Sequence, residues 1–335
     1  MSVGQRAKFL VEACFIAGMF AGIALCGPAL AQDAANYPNR TVTFIVPYTP
    51  GGGTDVYSRM IADELQAKLK QPFVIENKAG AATQIAASAL LAAPADGYTI
   101  MMGSSTTLAM NPSLYNKLSY NPDDFAPVGL VGSAYFVLLA NPSIPAKTLP
   151  ELIAYIKSKP PGSLSFGTSG AGTPHHLFME MFLNMIDAKM THIPYKGSVP
   201  AMTDVLAGNI PMMVVDLTPA QQLIEEGKLR AFGITSPVRA KPAPNIPTLA
   251  EAGLPGYSAE GWFGIIAKKG TPKPIIDTLN KTISDFIKRP EVQDKVYGIG
   301  IQPKTDTPEE FAQFIPAEQK KWSKVIADAN IPKMN

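Results

Sequence analysis

From Thr41 onward the chain alternates short β-branched or apolar runs with stretches of helical period. "TVTFIVPY" precedes a helical pattern over Asp55–Lys70, "PFVIEN" one over Gln84–Ala93, and "YTIMMGS" leads into "AMNPSLY". Within Asp55–Lys70, Val56, Met60, Ile61, Leu65 and Leu69 share one face, with Asp63, Glu64, Gln66 and Lys68 off it. That is the 3.6-residue period of a helix with one buried side. Strands interleaved with helices at this spacing predict a doubly wound α/β sheet.

After "DDFAPVGLVGSAYFVLLANP" the alternation restarts. Helices are predicted over Leu149–Lys157, Pro174–Met185 and Ser198–Leu206, with strands in "SLSFGTS", "MTHIPY", "IPMMVVD" and "RAFGITS". Beyond "GYSAEGWFGIIAKKGTPKP", a further buried strand, the patterns over Lys273–Ile287 and Pro308–Ala327 are amphipathic and need a sheet to cover. If that sheet is the first one, the chain crosses twice between two α/β domains, near Tyr135–Leu139 and Trp262–Ile266. The expected division is residues 32–136 with 258–335 for one domain and 137–257 for the other. Two crossings make a hinge beside a cleft.

The first 31 residues read differently. Arg6 and Lys8 form a short basic region, Ala13–Cys26 is apolar apart from glycine, and "GPALAQ" supplies an A-x-A cleavage signal ending at Ala31. This layout predicts a secretory signal peptide and a mature protein exported to the periplasm. The only two cysteines, Cys14 and Cys26, fall inside it, so the exported part has no thiol to mispair in an oxidising compartment and no thiolate metal site. Removing Arg6, Lys8 and Glu12 from 29 basic and 27 acidic residues leaves 27 and 26, with no basic run. That balance argues against nucleic acid or an anionic membrane as partner. No later stretch is apolar for long enough to span a bilayer.

Three glycine-rich segments follow predicted strands and open predicted helices. The first is "TPGGGTDV", with Gly51, Gly52 and Gly53 consecutive. It lacks the Lys of a P-loop and the third glycine of a dinucleotide fingerprint, and "GTSGAG" at Gly167–Gly172 misses the G-x-S-x-G of a nucleophile elbow by one position. What remains is a backbone anion site at a helix start, capped by Thr54 or Asp55. The second segment is "FGTSGAGTPHHLFMEMF" and the third "GSSTTLAMNP". In open α/β sheets ligands lie beyond the carboxyl ends of the strands, where these loops fall. Any one glycine turn can be purely geometric; its recurrence in both domains favours a site.

Other residues carry two readings each. His175 and His176 fit a helix start or cleft better than a metal site, because no carboxylate stands at ligand spacing. Asp216, ending "MMVVD", either caps the next helix or touches ligand. Trp262 reads as packing at the crossover, and Met179, Met181 and Met185 as core. An exported hydrolase using Ser169 with His176, oriented by Asp216, is the rival from another class.

At this point five blocks carry a resemblance: "YPNRTVTFIVPYTPGGGTDVYSRMIADEL", "ADGYTIMMGSSTTLAMNPSLY", "HIPYKGSVPAMTDVLAGNIPMMVVD", "GKLRAFGITSPVRAKPAPNIPTLAEAGLPGY" and "WFGIIAKKGTPKPIIDTLN". They closely resemble, in family order from about Tyr37 onward, the Bug-type extracytoplasmic solute-binding receptors of tripartite tricarboxylate transporters. The resemblance implies a two-domain Venus-flytrap binding protein, type II-like, without enzymatic activity or cofactor. It would act as a monomer, capture a small carboxylate and deliver it to membrane permease subunits, or else present it to a sensor kinase. It implies that the carboxylate is held by backbone amides and hydroxyls rather than by an Arg clamp. Carried over residue by residue, this marks Tyr48, Gly52 and Thr54, then Ser104 and Ser105, and in the second domain Thr168, Ser169, Gly172, Thr173 and His176, with Asp216 at the strand-ending acid. Two departures stand out. "NKAGAATQIAA" from Asn77 replaces the usual "NRPGAGG", so Thr83 and Gln84 alter that loop, and "LTPA" follows Asp216 where Asn is common.

Overall fold

A computed structural model describes residues 36–335, so the expected signal peptide lies outside the described residues. The chain builds two sheets. The first contains β1 (Val42–Val46), β2 (Phe73–Asn77), β3 (Thr99–Ser104) and β4 (Phe125–Ala134). It is completed by β10 (Gly261–Lys268) and β11 (Ile301–Pro303), in the order β11-β4-β10-β3-β1-β2. The second contains β5 (Phe136–Ala140), β6 (Ser165–Thr168), β7 (Thr191–Pro194), β8 (Met212–Asp216) and β9 (Arg230–Ile234), in the order β7-β6-β8-β5-β9.

β1 pairs in parallel with β2 and β3, as β6 does with β7 and β8. β10 runs antiparallel to β3 and β4, and β5 antiparallel to β8 and β9. The sheets are therefore mixed: a strand that enters its sheet from the other lobe arrives from the opposite end. β1 and β3 are nearly continuous buried runs because helices cover both faces.

Helices α1 (Gly53–Leu69) and α2 (Gln84–Ala92) connect the first strands, and α3 (Asn111–Leu114) follows a π-helical turn over Thr106–Met110. In the second lobe α4 (Leu149–Lys157), α5 (Pro174–Met185), α6 (Ser198–Ala207) and α7 (Leu217–Glu225) surround the sheet. The chain then adds α8 (Lys273–Ile287), α9 (Pro290–Gly298) and α10 (Pro308–Asp328) to the first lobe. α7 and α9 lie outside the predicted elements. α10 opens with a capping box in which Glu310 N–H donates to Thr307 Oγ1 and Thr307 N–H to Glu310 Oε2. Such a box satisfies two donors that a helix start leaves free.

The crossovers are narrower than expected. The first is the single residue Tyr135 between β4 and β5, and the second lies around Glu260, ahead of β10. Phe136–Leu139 and Trp262–Ile266 are instead strand residues of the two sheets. The two crossings are tied together: Ser133 Oγ donates to Glu260 Oε1 at 3.0 Å, and Lys304 Nζ holds both carboxylate oxygens at 2.7 and 2.8 Å.

α10 also reaches the second lobe. The Trp322 ring stacks on Phe178 of α5 at 5.2 Å, and the indoles of Trp262 and Trp322 both donate to Glu318 Oε2 at 2.9 and 3.0 Å. Trp262 is thus a packed residue behind the crossover. Met179 is buried and Met181 partly so, but Met185, at the end of α5, remains 38% exposed and is not core. None of the helices among the described residues is long and apolar enough to cross a membrane.

Candidate functional site

Between the lobes lies a cleft of about 660 Å³, walled by loops at the carboxyl ends of β1, β2, β3, β6 and β8. The first loop brings Tyr48, Gly52 and Thr54 to the cleft. Its geometry depends on Asp55, whose side chain turns back so that Gly51 N–H donates to Oδ2 at 2.9 Å. Arg59 and Asn77 Nδ2 also donate to this carboxylate, at 2.8–3.1 Å. Burial opposes the charge on Asp55, but these donors outweigh it and hold the group down at about 2. Asp55 therefore braces the loop rather than capping α1. The cap position is Gly52, whose side has no bond to give, and the first N–H groups of α1 lack intrahelical acceptors.

Glycine is required for conformation at Gly51, with φ of +85°, not at Gly52. Gly52 is extended, at φ −75° and ψ 162°, and a Cβ there would sit 3.9 Å from the Thr49 carbonyl oxygen. The absence of a side chain at Gly52 thus matters only toward the cleft.

The third loop splits the predicted serine pair. Ser105 lines the cleft, whereas Ser104 is buried behind it with its Oγ 3.1 Å from Thr107 Oγ1. Ser104 is the last residue of β3, whereas Ser105 already has helical dihedrals (φ −51°, ψ −36°), so the two side chains leave the chain in different directions. Thr107 continues to Thr83 Oγ1 at 2.8 Å, which makes a buried chain of hydroxyls under the cleft wall. Tyr48 has its phenol pushed up, first by burial and further by the charge of Asp216 across the cleft.

In the second lobe Ser169, Gly172, Thr173 and Asp216 line the cleft, while Thr168 and His176 do not. Thr168 Oγ1 lies 2.6 Å from His192 Nε2 and also accepts the Gly170 N–H at 3.2 Å. His176 Nδ1 accepts the Gly172 N–H at 3.2 Å, and its ring stacks on His192 at 3.8 Å. Both histidines touch the loop, but successive residues of an α-helix point about 100° apart, and only one of the two lines the cleft. It is His175, which sequence reasoning passed over for its neighbour.

Ser169 Oγ lies 2.7 Å from His175 Nδ1, and His175 Nε2 lies 3.0 Å from Asp216 Oδ2. Asp216 occupies the cap position of α7 but makes no side-chain cap bond. The pairing of Ser169 with His176 in the hydrolase alternative is corrected accordingly: those two side chains do not meet. With His175 neutral and its Nε2–H directed at Asp216, Nδ1 accepts the Ser169 hydroxyl proton, and Ser169 offers the cleft only lone pairs. A protonated His175 donates from both nitrogens and frees that hydroxyl for a ligand oxygen.

Thr173 Oγ1 donates to the Gly170 carbonyl at 2.7 Å, so this half of the cleft has most of its donors committed internally. The α1 loop is the freer half. Phe136 and Phe263 add apolar walls, as do Ala82 and Met334, residues that no motif marked. No Lys or Arg lines the cleft, and among the described residues no group of three or more His, Cys, Asp or Glu is placed to hold a metal ion.

Two α/β lobes joined by two crossovers, with a cleft large enough for a small solute at the strand ends, define an extracytoplasmic solute-binding receptor fold. Residues 57–331 match the family described as tripartite tricarboxylate transporter family receptor, and the chain belongs to that family. It is 37% identical over 315 residues to Protein BugT of Bordetella pertussis, covering 93% of this chain and 96% of that protein. Among solved structures it is similar to R. palustris Rpa4515 with adipate, at a TM-score of 0.77 and 35% identity, covering 89% of this chain and all of that one. MatC from Rhodopseudomonas palustris with bound malate aligns at 0.72 and 32%, over 87% of this chain and all of that one. The periplasmic binding protein BugD aligns at 0.73 and 31%, over 89% of this chain and all of that one. These relatives are solute-binding receptors, not enzymes.

Proposed function

We propose that the protein is exported to the periplasm, captures a small carboxylate between its lobes as a monomer, and delivers it to the permease of a tripartite tricarboxylate transporter. The observation that carries this reading is a cleft lined by helix-opening loops from both lobes, rich in hydroxyls and free of Lys and Arg. Converging neutral donors can hold an anion without a cation, at roughly 1.5–3 kcal/mol per charge-assisted bond. The carboxylate sits at the first loop, near Gly52, Thr54 and Ser105. It lies away from Asp216, whose charge would repel it. The expected half-site of Tyr48, Ser169, Gly172 and Thr173 shapes the rest, with Ser104, Thr168 and His176 supporting it from behind.

On this reading the lobes, 32–136 with 258–335 and 137–257, close on the ligand about Tyr135 and Glu260. A thermal-shift screen over a panel of carboxylic acids tests capture. A ligand at about 100 times its Kd adds roughly 2.7 kcal/mol to the bound form. Gly52→Val should then weaken affinity by calorimetry far more than it lowers stability, which it should reduce by no more than about 1 kcal/mol, the cost of a β-branched residue at a cap position with ordinary dihedrals. Small-angle scattering should show a smaller radius of gyration at saturation. A panel with no stabilising acid, or unchanged affinity in the variant, sinks the assignment of the carboxylate to this loop.

A further inference from the structure

We infer that Met334 is a specificity-determining residue that sets the length of ligand the cleft admits. The segment around it is anchored to the first lobe: Met334 N–H donates to the Leu114 carbonyl at 2.7 Å, Asn116 N–H donates to the Met334 carbonyl at 2.9 Å, and Asn116 Nδ2 donates to Asn335 Oδ1. Met334 and Tyr115 form a parallel bridge there. Its side chain lines the cleft and reaches across to the glycine-rich loop of the second lobe. A Cβ built on Gly172 would lie 2.7 Å from Met334 Cε and 3.6 Å from Sδ. Gly172 is left-handed at φ +72°, so both its backbone and this neighbour demand glycine. A side chain that touches both lobes while facing the space between them is a wall of that space.

The wall is unlike the rest of the cleft. The anion-facing loops are polar and held by hydrogen bonds, whereas Met334 offers an unbranched, polarisable thioether with several rotatable bonds. It closes the space against the methylene portion of a ligand and places nothing there to pair with a second charge. A wall built this way measures apolar length, and Gly172 of the second lobe backs it. This inference rests on the carboxylate reading above.

The test is calorimetry on the full-length protein with the unbranched α,ω-dicarboxylates from succinate to suberate and the matching monocarboxylates. Met334→Ala, which removes Cγ, Sδ and Cε, should lengthen the preferred acid by about two methylenes. Each newly buried methylene should tighten binding roughly fourfold, from about 0.8 kcal/mol apiece. Met334→Phe should shorten the preferred acid, and Met334→Leu should keep the wild-type order. An identical order of affinities in Met334→Ala and Met334→Phe, even with every acid weakened in parallel, overturns the inference and leaves carboxylate binding standing. A wild-type protein that binds none of these acids overturns both readings.

Discussion

The loop after β2 contains three consecutive non-glycine residues in the left-handed region: Ala81 at φ 45°, Ala82 at 49° and Thr83 at 74°. For an L-residue that conformation costs roughly 1–2 kcal/mol. The loop is held by surrounding bonds, since Asn111 Nδ2 donates to the Ala82 carbonyl at 2.8 Å and Thr83 joins the hydroxyl chain to Thr107. Ala82 is exposed at the cleft wall, so its methyl contributes little packing. Ala82→Gly should therefore relieve about 1–2 kcal/mol of strain, against about 0.4–1 kcal/mol of added freedom in the unfolded chain. The expected net gain is roughly 0.5–1 kcal/mol, or a rise of about 1–3 °C in Tm. The same substitution at Ala67, exposed inside α1, should cost about 1 kcal/mol. Urea midpoints of the two variants beside wild type decide the matter. If Ala82→Gly lowers the midpoint as Ala67→Gly does, the loop is not strained and the reasoning fails.

Three further outcomes follow from the same contacts. Burial, and secondarily the charge of His176, lower His192 to about 4, so between roughly pH 6.5 and 4 the native fold binds fewer protons than the unfolded chain. Stability should fall as pH falls through that window, by at most about 1.4 kcal/mol per unit and less because the ring is only half covered, and His192→Asn should flatten the slope in urea titrations at stepped pH. Asp55→Ala should cost about 1–2 kcal/mol at neutral pH, allowing for solvent near this shallow loop, with the deficit vanishing as wild type is acidified from about pH 4 to 2, measured the same way. Glu318→Leu strands two buried indole N–H groups and should cost on the order of 2–4 kcal/mol by chemical denaturation.

How much of this was legible in advance depends on the range of the interactions concerned. The starts of α5, α8 and α10 could be read because local signals mark them: Pro174 and Pro308 at the first helical position, and apolar spacing over Lys273–Ile287. The glycine-rich loops were visible because a strand, a turn and a helix follow one another within a few residues. The short helix α9 and the strand β11 were not, since their apolar positions are few and β11 pairs with β4, far back in the chain. Serine and histidine doublets could not be resolved either. Choosing Ser105 over Ser104, or His175 over His176, needs the direction of a strand and the phase of a helix.

Sequence alone determined the α/β alternation, the family and the lack of any cationic clamp in the site loops, because these depend on residue type and short spacing. Only the tertiary structure decided what faces the cleft. Asp55 turned inward to brace Gly51, Asp216 paired with His175 instead of capping α7, and Met334 crossed to Gly172 from a segment more than 150 residues away. Asp55 is only four residues from Gly51 but is fixed in place by Asn77 at the end of β2, His175 reaches Asp216 only when α5 lies beside β8, and Met334 reaches Gly172 only when both lobes are built, so no local pattern encodes these meetings.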